Sequence, residues 1–231
     1  MSRHQPRRPD ASNSGISTAP LGLSADEVLT TTRAVRKRLD LRRPVPRSVL
    51  HDCVEIAMQA PSGRNRQQWD FVFVTDPDRR AAVSDIWRRG LRAQFDGGTE
   101  SRMSFNSLQW QQISDSLRYL DDHFHQVPVL LIPCLRVRSR DALTTVRGQA
   151  GNWGSVIPAV WSFMLAARSR GLGTAWTTCH LSYEREMAQV LSIPFETVVQ
   201  AALTPVAYTI GTSFRPGPRA PRDDFLHWQA W

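Results

Sequence analysis

The chain has 231 residues, 29 Lys+Arg against 21 Asp+Glu, and a formal charge of +8. With 41% hydrophobic and 22% charged residues, it has neither the composition of a disordered chain nor that of a membrane-embedded one, and its length suits a single domain with a sizeable core. The positive charge suggests nucleic acid, but residues 33–47 hold seven cations and one acid while residues 48–231 hold 19 cations and 17 acids, so there is one basic segment and no broad basic face.

Residues 1–22, rich in Ser, Pro, Arg and Asn without periodicity, read as a disordered tail, and residues 23–231 as one domain. Ser24 and Glu27 make the capping-box pattern and predict a helix through about Thr32. Pro46 opens a second helix, with Val49, Leu50, Cys53, Val54 and Ala57 at helical spacing. Pro61-Ser62-Gly63 reads as a loop, Trp69–Thr75 as a strand, and Asp76-Pro77 as the start of a helix through about Arg89. Residues 90–125, broken by Gly97-Gly98, carry a loose helical pattern and are expected to form a mobile helical lid. Val127–Val137 reads as a buried strand. Residues 149–169 are apolar nearly all round, which predicts a helix buried in the core or at a subunit interface, kinked at Pro158 and ended by Gly171. Gly173–Thr178 reads as a strand, Ser182 as the cap of a helix to about Leu191, and Val198–Tyr208 as a last strand, placed at an edge by Pro205. Residues 211–231 form an extended tail. The order predicts an α+β fold: one mixed central sheet packed by helices.

The chain lacks a dinucleotide-binding glycine fingerprint, a Walker loop, a zinc-protease motif and a nucleophile elbow. Cys53, Cys134 and Cys179 lie far apart in apolar segments and read as buried thiols, and no metal-ligand spacing exists. Without an apolar signal region or a spanning run, a cytoplasmic protein without membrane contact is expected. His180 follows a predicted strand end and reads as structural. Arg33 and Arg36, three apart after Thr-Thr-Thr, can converge on one anion. The second cationic stretch, Arg215 to Arg222, joins them only if the fold brings the two together. Arg38, Arg42, Arg43 and Arg47 read as a solvated face. The loop Pro61-Ser62-Gly63-Arg64-Asn65 offers donors and acceptors suited to a heterocycle's edge.

Three stretches carry a resemblance. They are Arg33-Ala34-Val35-Arg36-Lys37-Arg38-Leu39 with the Pro61–Trp69 loop and the strand after it, Leu165 to Trp176 through Gly171 and Gly173, and Pro205–Tyr208 with the Arg-Pro tail through Arg219. Together they resemble the FMN-dependent nitroreductase family, with wording closest to actinobacterial members. Gln68 stands where many members have Pro, Arg38 looks like an extra residue before Leu39, and residues 90–125 match no family segment. The resemblance implies a domain-entwined homodimer with two FMN at the subunit interface, reduced by NADPH or NADH. It implies ping-pong hydride transfer through flavin N5 to a small aromatic oxidant, a nitroaromatic or quinone. Arg33 and Arg36 with Arg219 would hold the phosphate and ribityl chain, with Ala34 and Val35 beside them and Lys37 a lesser candidate. Ser62 and Asn65 would meet the ring, shaped by Pro61 and Gly63. Gly173 and Thr174 would admit close approach, and Thr177 or Thr178 would lie near N5. The flavin carries the chemistry, so no catalytic acid, base or nucleophile is assigned. Phe95, Phe105, Trp110, Tyr119 and Phe124 would face the oxidant. The alternatives are a reductive dehalogenase or a flavin-fragmenting enzyme on the same fold and, from another class, a basic nucleic-acid-binding module.

Overall fold

The structure, a computed structural model, describes residues 19–96 and 107–231. The expectations for residues 1–18, the Gly97-Gly98 break and Phe105 lie outside them, as does the side chain of Phe95. Helices α1 (Ala25–Thr31), α2 (Arg47–Ala57), α3 (Pro77–Asp96), α4 (Ser107–His123), α5 (Val146–Ser169) and α6 (Glu184–Leu191) accompany strands β1 (Trp69–Val74), β2 (Val129–Arg136), β3 (Leu172–Thr174), β4 (Val198–Gln200) and β5 (Thr204–Tyr208). The sheet runs β1-β2-β5-β3, with β4 also on β2. Every pair of these strands is antiparallel, and the parallel contact is a single bridge between Ala34 and Thr174. The fold is therefore α+β, and the expected mixed sheet is corrected to an antiparallel one.

The sheet is covered on both faces. Val129 and Leu131 point to α2 and α5 with Val49, Leu50, Cys53 and Phe163, while Leu130 and Ile132 point to the opposite layer with Val83, Trp87 and Met187. Alternate residues facing two apolar layers explain why β2 is apolar without interruption. Cys53, Cys134 and Cys179 are all buried. Burial pushes the Cys53 and Cys134 thiols up to about 12, which keeps them protonated and inert.

The Ser24–Glu27 capping box forms, and Thr30, Thr31 and Thr32 turn their hydroxyls back onto the carbonyls of Asp26, Glu27 and Val28. Asp76 accepts from the Arg79 N–H at 3.0 Å and caps α3, which runs seven residues past the expected end. Leu21, assigned to the tail, donates to the Ser169 carbonyl at 2.7 Å, so the docked chain begins before Ser24. Gly171 (φ +75°) ends α5, which runs unbroken through Pro158. Residues after Thr174 leave the sheet except for the Thr177–Leu203 bridge, and α6 is entered through a 3-10 turn, Cys179–Tyr183, not through a Ser182 cap.

Two prolines reshape the last strand. The single strand expected over Val198–Tyr208 splits into β4 and β5 at Ala201, whose N–H donates to the Pro133 carbonyl at 2.8 Å. Pro133 has no N–H to return, so the ladder opens there. Pro205 lies in an interior strand, contrary to the edge expectation. Its partner position on the β3 side is Ala175, in the gap between Thr174 and the Thr177–Leu203 bridge, where no N–H is required.

His180 is fully buried, with neither ring nitrogen hydrogen-bonded, and burial pushes its pKa down to about 3. Folded His180 is neutral, whereas the unfolded chain protonates it below about 6.5. Its contribution is therefore complete above pH 6.5 and lost as pH falls toward 3. Unfolding free energy should drop by about 2 kcal/mol between pH 7 and pH 5 from this residue. Urea titrations of the protein and of His180→Asn check it. Equal pH slopes in the two would refute the assignment.

Candidate functional site

The segment after α1 is laid flat on the sheet. The Val35 N–H donates to the Thr174 carbonyl at 2.8 Å, and a Cβ at Gly173 would come within 2.9 Å of both Val35 Cβ and Cγ1. Gly173 thus allows residues 33–36 to lie against β3. The peptide then carries Arg33 and Arg36 away from the core, while Val35 is buried.

Two cavities border this segment. One, of about 510 Å³, lies between residues 33–38, the α4 residues Gln112, Ile113 and Ser116, and the tail residues Phe214, Pro218 and Arg219. The other, of about 390 Å³, is walled by Trp161 and Met164 of α5, by Trp176 and by Gly217. Arg33, Ala34, Arg36 and Arg219 line both. The fold thus joins the two basic stretches, which lie about 180 residues apart. Arg33 Nη1 donates to the Arg215 carbonyl at 3.2 Å, and a Cβ at Gly217 would come 2.9 Å from Arg219 Nη1 and 3.8 Å from Arg33 Nη2. Among the described residues no carboxylate lines either cavity.

Arg36 is the most constrained of the three. Its Nη1 donates to Ser116 Oγ at 3.2 Å, and that hydroxyl donates to the Ile113 carbonyl at 2.8 Å. Its Nε is buried without a partner, and burial pushes the guanidinium pKa down. A desolvated guanidinium with a free donor and no carboxylate is unfavourable until an anion meets it. The donor set matches a phosphate monoester: planar guanidiniums with bidentate geometry. The flat apolar walls of Trp161, Met164 and Trp176 suit an aromatic ring. Sequence reasoning missed these three and also Gln112, Ile113 and Ser116. Trp161 and Met164 stand three apart on α5, and that spacing was the available signal for a shared face.

The remaining expected residues distribute as follows. Ser62, Gly63 and Asn65 form a tight loop in which Arg64, Asn65 and Gln67 all have positive φ. Ser62 Oγ accepts from the Gln67 N–H, Asn65 Oδ1 accepts from Gln67 Nε2, and the Gly63 N–H donates to Ser155 Oγ of α5. Three non-glycine residues in this region are strained, which marks a loop built for its shape. Neither cavity is lined by any residue of 60–68, so one chain does not unite this loop, or Pro61, with the arginines. Thr177 is used inside the fold: its N–H and its hydroxyl both donate to the Leu203 carbonyl, at 3.1 and 2.6 Å, and its hydroxyl accepts from Trp87 Nε1 at 3.0 Å. Thr178 is exposed and stays the candidate of the pair.

Phe124 is fully buried and stacked on Trp87 at 4.3 Å, which corrects it from a substrate-facing to a core residue. Tyr119 stacks on His123 at 4.2 Å, and Trp110 lines a separate cavity between α3 and α4 with Leu91, Arg92 and Leu117. Arg38 and Arg43, read as solvated, are engaged: Arg43 lies 3.4 Å over the Tyr208 ring, and Arg38 bonds three carbonyls of the tail. Among the described residues no cluster of His, Cys, Asp or Glu is placed to hold a metal, and no helix is long and apolar enough to cross a membrane.

A guanidinium cradle with no carboxylate among its described lining residues, beside tryptophan walls, suits a flat, phosphorylated ligand. Residues 29–208 match the Nitroreductase family, and the chain belongs to it. It is 28% identical over 195 residues to 4-nitrobenzoate reductase of Nocardioides sp. (strain LMS-CY), which covers 73% of this chain and 74% of that protein. It is 27% identical over 154 residues to iodotyrosine deiodinase 1 of Sus scrofa, covering 66% of this chain and only 50% of the deiodinase. Among solved structures, the FMN and NADPH-dependent nitroreductase NfnB from Sphigopyxis sp. strain HMH superposes with a TM-score of 0.65 at 22% identity, over 90% of this chain and all of that one.

Proposed function

We propose that this protein is an FMN-dependent oxidoreductase that takes electrons from NADPH or NADH and passes them to a nitroaromatic or quinone-type acceptor. The observation that carries this reading is the convergence of Arg33, Arg36 and Arg219 on two cavities that no carboxylate of the described residues lines, with a buried, unpartnered Arg36 Nε. FMN, when bound, supplies hydride exchange at its N5. The chain's own residues do the rest. Arg33, Arg36 and Arg219 hold the phosphate. Trp161, Met164 and Trp176 flank the ring and exclude water. Gln112, Ile113 and Ser116 of α4 form the side from which an acceptor enters. The names of the nitrobenzoate reductase and of NfnB support the reaction class.

The working unit in this reading is a homodimer. Ile157 and Trp161 on α5 and Ile56 and Met58 at the end of α2 are 39–46% exposed large apolar residues on two helices that pack together. A second copy seated there would bring its own Ser62–Asn65 loop to the cradle, which one chain leaves without it.

The test is the absorption spectrum of the purified protein. The expected result is flavin absorbance that NADPH or NADH bleaches without air and that a nitroarene restores. Colourless protein that also takes up no added FMN overturns the reading. A second reading, reductive dehalogenation, is favoured by the deiodinase relative. Halide release from a halophenol, with no turnover of nitroarenes, would select it.

A further inference from the structure

Arg38 directs its charge onto main-chain oxygens. Its Nε donates to the Ile210 carbonyl at 2.9 Å, its Nη2 to the Gly211 carbonyl at 2.7 Å and its Nη1 to the Ser213 carbonyl at 3.0 Å. Its own carbonyl accepts from the Ile210 N–H at 2.8 Å. The guanidinium lies 4.1 Å over the Phe214 ring, and Arg168 lies 4.9 Å from the same ring. Gly211 has φ +71°, and a Cβ there would stand 3.0 Å from Arg38 Nη2, so the chain turns tightly around this side chain. Residues 210–214 are the span between β5 and the tail that carries Arg219. One guanidinium therefore ties that span to the segment that carries Arg33 and Arg36.

We propose that Arg38 is a positioning residue for the anion cradle, latching the tail so that Arg219 reaches the space shared with Arg33 and Arg36. The proposal rests on the reading that this cradle takes the flavin phosphate. A planar fork matches three carbonyls at fixed angles, which a lysine's point charge does not. Beyond Arg38 the tail is held by Phe214 packed against the core and by the Arg33 bond to the Arg215 carbonyl, while residues 211–213 and 218–231 are exposed. A segment with few buried contacts opens at low free-energy cost. An anion that needs Arg219 binds fully only to the docked tail, so anion binding and docking strengthen each other by the same factor. Arg38, which also borders the larger cavity, sets that docking equilibrium through the three tail carbonyls that take up its Nε, Nη1 and Nη2.

The experiment measures FMN affinity by flavin fluorescence for the wild type, Arg38→Met, Arg38→Lys, Arg219→Ala and the Arg38→Met/Arg219→Ala pair. Trypsin cleavage after Arg219, with and without FMN, is followed by mass spectrometry. Arg38→Met should weaken FMN binding about tenfold, with Arg38→Lys close to it. Arg219→Ala should weaken binding in the wild type but add little in the Arg38→Met background. FMN should slow cleavage of the wild-type tail and fail to slow it in Arg38→Met. Phe214→Leu, which removes the ring beneath Arg38 and Arg168 and keeps an apolar side chain against the core, should shift both readouts the same way and serves where Arg38→Met does not fold. Additive losses in the double variant overturn the proposal. So does an Arg38→Met that keeps wild-type affinity and tail protection, or an Arg219→Ala that binds FMN as the wild type does. A wild-type protein that takes up no FMN is a different failure, that of the proposed function itself.

Discussion

Arg36→Ala should lose about 1.5–3 kcal/mol of FMN binding, roughly a 10- to 150-fold weaker Kd, while the apo protein becomes no less stable. The two halves of this expectation have one cause. Arg36 is desolvated, its Nε is unpartnered, and its hydrogen-bonded neighbour is the neutral Ser116 hydroxyl. In the apo protein that charge lacks a carboxylate, so its removal relieves a desolvation cost. In the complex it faces a dianion in the same partly dry setting, where a charge-assisted contact is strong. Arg33→Ala should weaken FMN less, because Arg33 is exposed and its contact is screened by water. Isothermal titration of the apo protein with FMN, paired with thermal melts of the apo forms, gives both numbers. A variant with wild-type FMN affinity would mean the phosphate sits elsewhere. A variant whose apo melting temperature collapses would mean Arg36 serves the fold.

Gly90→Ala should cost about 3 kcal/mol or more and lower the melting temperature by roughly 6–12 °C. A Cβ at Gly90 would stand 1.9 Å from the Cys179 carbonyl oxygen and 2.5 Å from its carbon. These are backbone atoms, so no rotamer change relieves the overlap, and α3 must part from the 3-10 turn. That turn starts beside Thr178 and contains Cys179, whose Sγ donates to Gln94 Oε1 of α3 at 3.2 Å. Gly154→Ala is the comparison within one chain, because a Cβ there meets nothing of its own chain within 4 Å, on the α5 face that carries Ile157 and Trp161. It should be neutral or gain up to about 1 kcal/mol from helix propensity. Differential scanning calorimetry separates the two. A Gly90→Ala melt within about 2 °C of the wild type would show that α3 and the turn can part freely.

Local signals in the sequence located most elements. The Ser24–Glu27 box, the Asp76 cap, the 3.6-residue pattern of α2 and Gly171 after α5 each depend on neighbours within one or two turns. The strand errors have a different origin. Whether a proline breaks a ladder depends on what lies across from it. Pro133 opened a gap that divided Val198–Tyr208, and Pro205 was tolerated in the sheet interior because its missing N–H faces a gap. Phe124 and the aromatics of 107–123 carried the same pattern whether they faced a substrate or a core. The stacking of Phe124 on Trp87 is a long-range fact of packing.

At the site, the cationic segment Arg33–Arg38, the glycine and threonine behind it, and the family that residues 29–208 match are legible in the linear order. These are chemical identities and short spacings, which the linear order carries directly. The fold brings Arg219 to Arg33 and Arg36. It alone also turned Arg38 inward onto three carbonyls and gave Thr177 to Leu203. The physical reason is the same in each case. A charge or a hydroxyl has no fixed partner until the sheet closes, and the segment after α1 meets the tail where Ala34 bridges Thr174 and Leu39 bridges Thr209. Of the cations behind the +8 charge that suggested a polyanion, Arg33, Arg36 and Arg219 face one small cradle, while Arg38 and Arg43 are engaged within the fold.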